Sequence, residues 1–309
     1  MALTTMLFAQ EKIRVGVLNG PSCIPAAYMM ENDNTVAGAE LKFEKFADPQ
    51  ALLPKMIKKE IDIGFMPVNV AAKVFNSSNK AIICCAITGN GNLSVITTNK
   101  KIKKIDDSKN RTVYVAGAGA TPEYMFKYIL NKNNINIEKE ITLDYTIPTA
   151  QIAANLISKK IEIAVVPEPF STIAQIKSKD VFVAVDLQQE YQDFEGENNI
   201  YPLTVMVVRK EYADNNTELL DAFLSEYKKS VEWTIENPVT AGKYTEKNEL
   251  GLAAGVVTKA IPKSNYTFVI ANEGQKSIEK LLNIFISFAP DSIGGKLPEQ
   301  DFYYGKKNP

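Results

Sequence analysis

The chain has 309 residues, of which 45% are hydrophobic and 23% are charged, and its 35 basic and 36 acidic side chains give a net charge of −1. This composition is typical of a globular protein with enough chain for two lobes. The charge balance argues against a nucleic-acid-binding surface, and no apolar run approaches the roughly 18 residues of a membrane span. Because the chain has no histidine, His-dependent nucleophile systems are excluded.

The first ten residues are mostly apolar and precede the charged pair Glu11-Lys12. They resemble the rear half of a signal peptide, although an ordinary N-terminus would also explain them. We therefore expect residues 1–10 to be a signal-peptide remnant of a periplasmic or otherwise extracytoplasmic protein.

The next segments alternate between strand and helix patterns. Residues 13–18 form an apolar run typical of a buried strand, residues 41–46 alternate between apolar and polar, and residues 49–59 have helical spacing. Residues 61–66 predict a short strand that ends at Pro67. This alternation predicts an α/β protein with mostly parallel sheets flanked by helices.

The same pattern returns 100 residues later, which predicts a second structural unit. Residues 150–160 have helical spacing, and residues 161–166 form a strand pattern that ends at Pro167. The positions that match the residue 100 places later are Leu52, Met56, Ile57, Ile61, Asp62, Ile63 and Pro67.

Apolar connector segments indicate how the two units are joined. Residues 81–88 and 93–98 lead out of the first unit, and residues 203–208 lead back. We therefore predict a discontinuous lobe I, residues 11–98 and 204–309, and a continuous lobe II, residues 99–203. The crossings near Thr97-Thr98 and Leu203-Thr204 would form a two-strand hinge.

Four predicted strands end in loops that can approach a ligand, because ligands of open α/β sheets bind at the carboxyl ends of the strands. Small residues and free backbone N–H groups at helix starts suit acceptor groups of a ligand. Ser22 and Asn69 are equally well explained as helix caps, and Gly117-x-Gly119 lacks the third glycine of a dinucleotide fingerprint. The predicted ligand-binding residues are Asn19, Gly20, Pro21, Ser22, Asn69, Asn92, Gly119, Ala120, Thr121 and Glu168.

The three cysteines predict neither a disulfide framework nor a zinc site, because Cys84 and Cys85 are adjacent in an apolar run. Cys23 follows a turn at a predicted helix start, where the thiol pKa tends to be lowered. It is therefore expected to react selectively, unless it packs into the lobe as a small hydrophobe. No cofactor or metal is expected.

Several motifs together resemble the type II solute-binding proteins of ABC importers. These motifs are residues 17–21, 62–72, 117–122, 166–170 and 292–298. The resemblance is nearest to the branch of nitrate-, sulfonate- and thiamine-pyrimidine-binding proteins. It implies a two-lobed fold, a ligand between the lobes and delivery to an ABC permease in the cytoplasmic membrane. Because the chain lacks an arginine or lysine cluster for a strong anion, a neutral or zwitterionic organic solute is favoured, bound by a monomer.

Three other functions occur on this type of fold. A pyrimidine synthase of the yeast type consumes an active-site histidine, which this chain lacks. A small-molecule enzyme that resembles chorismate dehydratase stays as the alternative, and an extracytoplasmic location would argue against it. A ligand-sensing module of a regulator would need a DNA-binding segment, and the sequence has no such pattern.

Overall fold

The computed structural model describes residues 11–32 and 35–305. The predicted signal-peptide remnant, residues 1–10, lies outside the described residues. Within the described residues, two mixed sheets organise the fold. The larger sheet has seven strands, which are β1 (Lys12–Leu18), β2 (Thr35–Val36), β3 (Ala39–Phe46), β4 (Ile63–Pro67), β5 (Ile82–Asn90), β11 (Pro202–Arg209) and β12 (Tyr266–Ile270).

The smaller sheet has five strands, which are β6 (Leu93–Thr97), β7 (Thr112–Val115), β8 (Thr142–Asp144), β9 (Ile163–Pro167) and β10 (Phe182–Asp186). The spatial orders are β12-β5-β11-β4-β1-β3-β2 and β10-β6-β9-β7-β8. The predicted parallel pairing holds for three adjacent strands of each sheet, β3-β1-β4 and β8-β7-β9, and the other strand pairs are antiparallel. The predicted mixed α/β fold with two sheets is confirmed.

Helices cover both sheets. The first six are α1 (Ala26–Asn32), α2 (Pro49–Ile57), α3 (Val68–Ser77), α4 (Thr121–Lys132), α5 (Thr149–Ile157) and α6 (Phe170–Lys177). The last six are α7 (Leu187–Glu195), α8 (Lys210–Asn215), α9 (Thr217–Glu236), α10 (Pro238–Lys247), α11 (Ala254–Ala260) and α12 (Gln275–Phe288). Among the helices of residues 11–32 and 35–305, none combines the length and the apolar character needed to cross a bilayer.

The internal repeat is present in the structure at the predicted offset. Helix α5 begins and ends 100 residues after α2, and β9 begins and ends 100 residues after β4. Even the turns between them match, because Lys59 and Lys159 both adopt positive φ angles, of 63° and 57°. Each unit therefore folds as helix, left-handed turn and central strand.

The chain crosses between the sheets at two adjacent points. It leaves β5 for β6 through Gly91 and Asn92, and it returns to β11 through residues 196–201. The N–H of Gly91 donates to the carbonyl of Tyr201 at 2.9 Å, so the crossings touch. The sequence pattern predicted the first crossing at Thr97-Thr98, but β6 pairs with β9 and β10 inside the smaller sheet. We therefore keep the division into two lobes as a proposal and place the crossings at residues 91–92 and 196–201.

A buried ion pair anchors the centre of the larger sheet. The Asp62 side chain is fully buried at the start of β4. Its Oδ1 accepts from the Nη2 atoms of Arg14 and Arg209, each at 2.6 Å. Two guanidinium groups offset the cost of burying this carboxylate, and the contact joins β1, β4 and β11.

A second polar contact joins the helices of the two sheets. Glu195 at the end of α7 accepts from Lys280 of α12 at 2.7 Å, from Lys132 of α4 at 2.9 Å and from the hydroxyl of Tyr128. Burial alone would raise the pKa of Glu195, but the hydrogen bonds from Lys280, Tyr128 and Lys132 outweigh it and lower the pKa to about 2. Glu195 is therefore a charged contact between helices that pack on different sheets.

Candidate ligand-binding site

A cavity of about 140 Å³ lies between the two sheets, at the ends of several strands. Its lining comes from both proposed lobes and from the first crossing. The lining residues are Pro21, Ser22, Thr88, Gly89, Asn90, Asn92, Pro122, Pro167, Glu168, Leu203, Thr204, Ser264 and Tyr266. Strand ends that face each other across a crevice are the usual place for a small ligand in α/β proteins.

A larger cavity of about 430 Å³ lies beside the first. Its lining residues are Asn92, Ser94, Glu168, Gln175, Val183, Asp186, Pro262, Lys263 and Asn265. Asn92 and Glu168 line both cavities. We call the first the inner cavity and the second the outer cavity, and these two residues lie where they meet.

The wall on the side of the larger sheet begins at the turn after β1. Gly20 has φ 115° and ψ −155°, a conformation that only glycine adopts easily. Its N–H donates to the carbonyl of Leu250 at 3.0 Å, and the hydroxyl of Tyr266 donates to the carbonyl of Pro21 at 2.8 Å. These bonds hold Pro21 and Ser22 against the inner cavity and fix the Tyr266 ring beside them.

The wall on the side of the smaller sheet is built around Glu168, which is only 2% exposed. Its N–H donates to the carbonyl of Asn92 at 3.2 Å, and its Oε2 accepts from the N–H of Thr172, in the first turn of α6, at 3.2 Å. Burial raises the pKa of Glu168, and the bonds from Thr172 and the charge of Lys263 offset part of that rise. The carboxyl group is thus held rigidly in a dry place.

Asn92 brings an unsatisfied acceptor to the same place. Its Nδ2 donates to the carbonyl of Ser264 at 3.3 Å, which fixes the orientation of the amide. Its Oδ1 is buried and has no hydrogen-bond partner in the protein. Since buried polar atoms rarely stay unpaired, this oxygen is available to a ligand or a water molecule.

Comparison with known families shows to which family the chain belongs. The sequence profile of the NMT1-like family matches residues 9–244, about three quarters of the chain. The chain belongs to the NMT1-like family. No curated protein matches it by sequence.

Solved structures show the same fold as this NMT1-like chain. An ABC transporter from Parabacteroides distasonis superposes with a TM-score of 0.83 and 23% identity, over 96% of this chain and 100% of that one. The periplasmic aliphatic sulphonate binding protein SsuA from Escherichia coli gives a TM-score of 0.74 and 14% identity, over 97% and 96% of the two chains. The periplasmic nitrate-binding protein NrtA from Synechocystis PCC 6803 gives 0.68 and 14%, over 95% and 87%. The predicted type II binding-protein fold is confirmed.

Four of the predicted site residues, Pro21, Ser22, Asn92 and Glu168, line the inner cavity together. Neither Ser22 nor Asn69 caps a helix with its side chain. The other predicted residues are not among the lining residues, and these are Asn19, Gly20, Asn69, Gly119, Ala120 and Thr121.

Those six residues occupy different environments. Asn19 and Gly119 are exposed, and the N–H of Gly119 donates to Glu123 at 2.7 Å, so this turn is closed on itself. Asn69 and Thr121 are buried and each keeps a side-chain oxygen without a protein partner. Gly20 shapes the turn, and Ala120 bonds within it.

Sequence reasoning missed the contribution of the central strands. Thr88, Gly89 and Asn90 end β5, and Leu203 and Thr204 begin β11 beside them. The apolar connector pattern could have predicted these lining residues, because strands that cross between the sheets run past the cleft. No signal pointed to Tyr266, which reaches Pro21 from 245 residues away in sequence.

The expectation of a reactive Cys23 is wrong. Its side chain is fully buried, and its Sγ donates to the carbonyl of Gly20. Burial raises the pKa of the thiol to about 12, although backbone hydrogen bonds lower it slightly. Cys23 therefore packs as a small hydrophobe, because desolvation outweighs its place beside a short helix. Within the part of the chain that the structure describes, no group of His, Cys, Asp and Glu side chains could hold a metal ion.

Proposed function

We propose that this chain is the substrate-binding component of an ABC import system and captures a small organic solute between its lobes. The observation that carries the proposal is the inner cavity, which loops of both lobes line at their strand ends. Family membership and the fold support it, since the similar structures include periplasmic binding proteins for sulphonate and for nitrate.

The cavity favours a neutral or zwitterionic solute over a strong anion. None of its lining residues is Lys or Arg, whereas Glu168 is buried in its wall. An anion placed about 4 Å from this carboxylate would meet a repulsion of about 4 kcal/mol at the effective dielectric constant of a protein surface. A nitrate or a simple sulphonate therefore fits the inner cavity poorly.

Binding between two lobes is expected to favour a closed arrangement. A ligand that contacts both walls binds that arrangement better and shifts an existing equilibrium toward it. The crossings at residues 91–92 and 196–201 would absorb the movement. We further propose an extracytoplasmic monomer that delivers its solute to a membrane permease and catalyses no reaction.

Native mass spectrometry of the purified protein tests this function by detecting a co-purified small molecule. Gly89→Leu would fill the inner cavity and should reduce occupancy at least tenfold. Gly255→Leu is the matched control, because a side chain there meets no atom within 4 Å. Small-angle scattering should show a smaller radius of gyration with the captured solute than without it. Equal occupancy in Gly89→Leu, or an unchanged radius at saturation, would count against the proposal.

A further inference from the structure

Among the described residues that line the inner cavity, the one charged side chain is negative. This side chain is Glu168, and its carboxylate oxygens offer more acceptor sites than the N–H of Thr172 uses. The carbonyl of Pro21 and the Oδ1 of Asn92 are also acceptors at this wall, and only the first has a protein donor. The described lining of the inner cavity thus offers acceptors and no Lys or Arg side chain, and the charge of Lys263 reaches Glu168 from the outer cavity.

Glu168 and Asn92 are neighbours, and of their side-chain oxygens the Oδ1 of Asn92 has no protein donor. Glu168 and Asn92 are joined by a backbone hydrogen bond of 3.2 Å, and both side chains line the inner and the outer cavity. Both are more than nine-tenths buried. A buried carboxylate beside a buried amide oxygen is costly unless donors or a positive charge meet them.

We propose that the solute carries a protonated amine, which Glu168 and the Oδ1 of Asn92 bind at the meeting point of the two cavities. This inference rests on the proposed binding function and adds the chemical class of the ligand. An ammonium group has three donors and a positive charge, so one group can serve both acceptors and neutralise the carboxylate. Burial raises the pKa of Glu168, and a bound ammonium would oppose that rise.

The rest of the inner cavity fits an apolar body attached to the amine. Pro21, Pro122, Pro167 and Leu203 face it together with the ring of Tyr266. A water molecule needs roughly 10–15 Å³ of such a space, so about 140 Å³ holds on the order of ten non-hydrogen atoms. The ring of Tyr266 is fixed through its hydroxyl and gives the body a rigid wall.

Lys263 restricts what the other end of the solute carries. It lines the outer cavity and not the inner one. A second group that extends into the outer cavity can therefore be neutral or negative, which agrees with a zwitterion. A second positive group would meet Lys263 and is disfavoured.

Three probes of nearly equal size separate the chemical classes: benzylamine, benzyl alcohol and benzenesulfonate. Binding is measured by isothermal titration calorimetry on the full chain after removal of any co-purified solute. We expect benzylamine to bind at least tenfold more tightly than either of the others. Glu168→Gln should weaken benzylamine at least tenfold, because the amide keeps an oxygen for the N–H of Thr172 but loses the charge.

Glu162→Gln is the matched control, since Glu162 is half-exposed and pairs with Arg111 outside both cavities. It should leave benzylamine binding within twofold. Equal or tighter binding of the alcohol or the sulfonate, no effect of Glu168→Gln, or no binding of any probe would overturn the amine assignment. The proposed binding function has its own test, which is whether a co-purified solute closes the lobes. If one does, the binding function stands even when the amine assignment fails, and if none does, the binding function fails as well.

Discussion

Gly91 at the first crossing offers the sharpest test of how the two lobes are joined. A Cβ atom at this position would lie 2.1 Å from the Cζ atom of Tyr201 in the second crossing. Carbon atoms in contact prefer 3.5–4.0 Å, so Gly91→Ala forces the ring to withdraw by roughly 1.5 Å. Tyr201 is fully buried and packs on the edge of Tyr191, with ring centroids 5.4 Å apart.

The loss of stability in Gly91→Ala follows from that geometry. Overpacking of a closed site costs about 1–3 kcal/mol, and the loss of a good aromatic pair adds about 0.5–1.5 kcal/mol. We therefore expect Gly91→Ala to lower the free energy of unfolding by about 2–4 kcal/mol. The melting temperature would fall by several degrees, at roughly 2–3 °C per kcal/mol for a large domain.

Urea unfolding followed by circular dichroism measures this cost in a double-mutant cycle. In a Tyr201→Ala background, Gly91→Ala should cost almost nothing, because the ring that it would meet is gone. Gly89→Ala is the matched control two residues away, since its Cβ would lie 3.8 Å from Thr204, and it should change stability by less than about 1 kcal/mol. If Gly91→Ala costs the same in both backgrounds, or nothing in either, the proposed contact between the crossings is wrong.

Three further outcomes follow from the charged and buried groups. Asp62→Asn should cost about 3–5 kcal/mol in urea unfolding, because it leaves Arg209 without its buried partner; a loss under 1 kcal/mol would contradict this. The pKa of Glu195 is lowered to about 2 from an ordinary 4.5, so its contribution is complete above about pH 4.5 and disappears as the pH falls toward 2. Glu195→Gln should therefore cost about 1–3 kcal/mol at pH 7 and progressively less in acid; a constant difference across that range would refute the assignment. All three cysteines are buried, so a thiol reagent should modify none quickly in the native protein and all three in denaturant; rapid labelling of Cys23 would show that its site opens.

The repeat and its consequences could be predicted from the sequence. The offset of 100 residues between Ile61 and Ile161 placed α2 with β4 and α5 with β9, and it implied two similar sheets. Proline and glycine marked the strand ends, and this located the turn at Pro21 and the loop at Glu168. Local patterns suffice here because periodicity reports which faces of an element are buried.

The candidate site depends on contacts that no local pattern encodes. Asn92 bonds Ser264 across 172 residues of sequence, and Tyr266 fixes Pro21 from the opposite end of the chain. The sequence pattern predicted a connector at strand β6, but β6 pairs with β9 inside the smaller sheet. The sequence also could not show whether the pKa of the Cys23 thiol is raised or lowered, because the burial that raises it comes from distant residues.

The sequence by itself determined the family, the strand and helix order of the two repeated units, the repeat and four of the cavity residues. Only the tertiary structure decided which strand belongs to which sheet, where the chain crosses and which polar atoms are left buried without partners. The physical reason is that local propensity and periodicity depend on neighbours within one or two turns of the chain. Burial and hydrogen-bond satisfaction depend instead on atoms that packing brings together from distant positions.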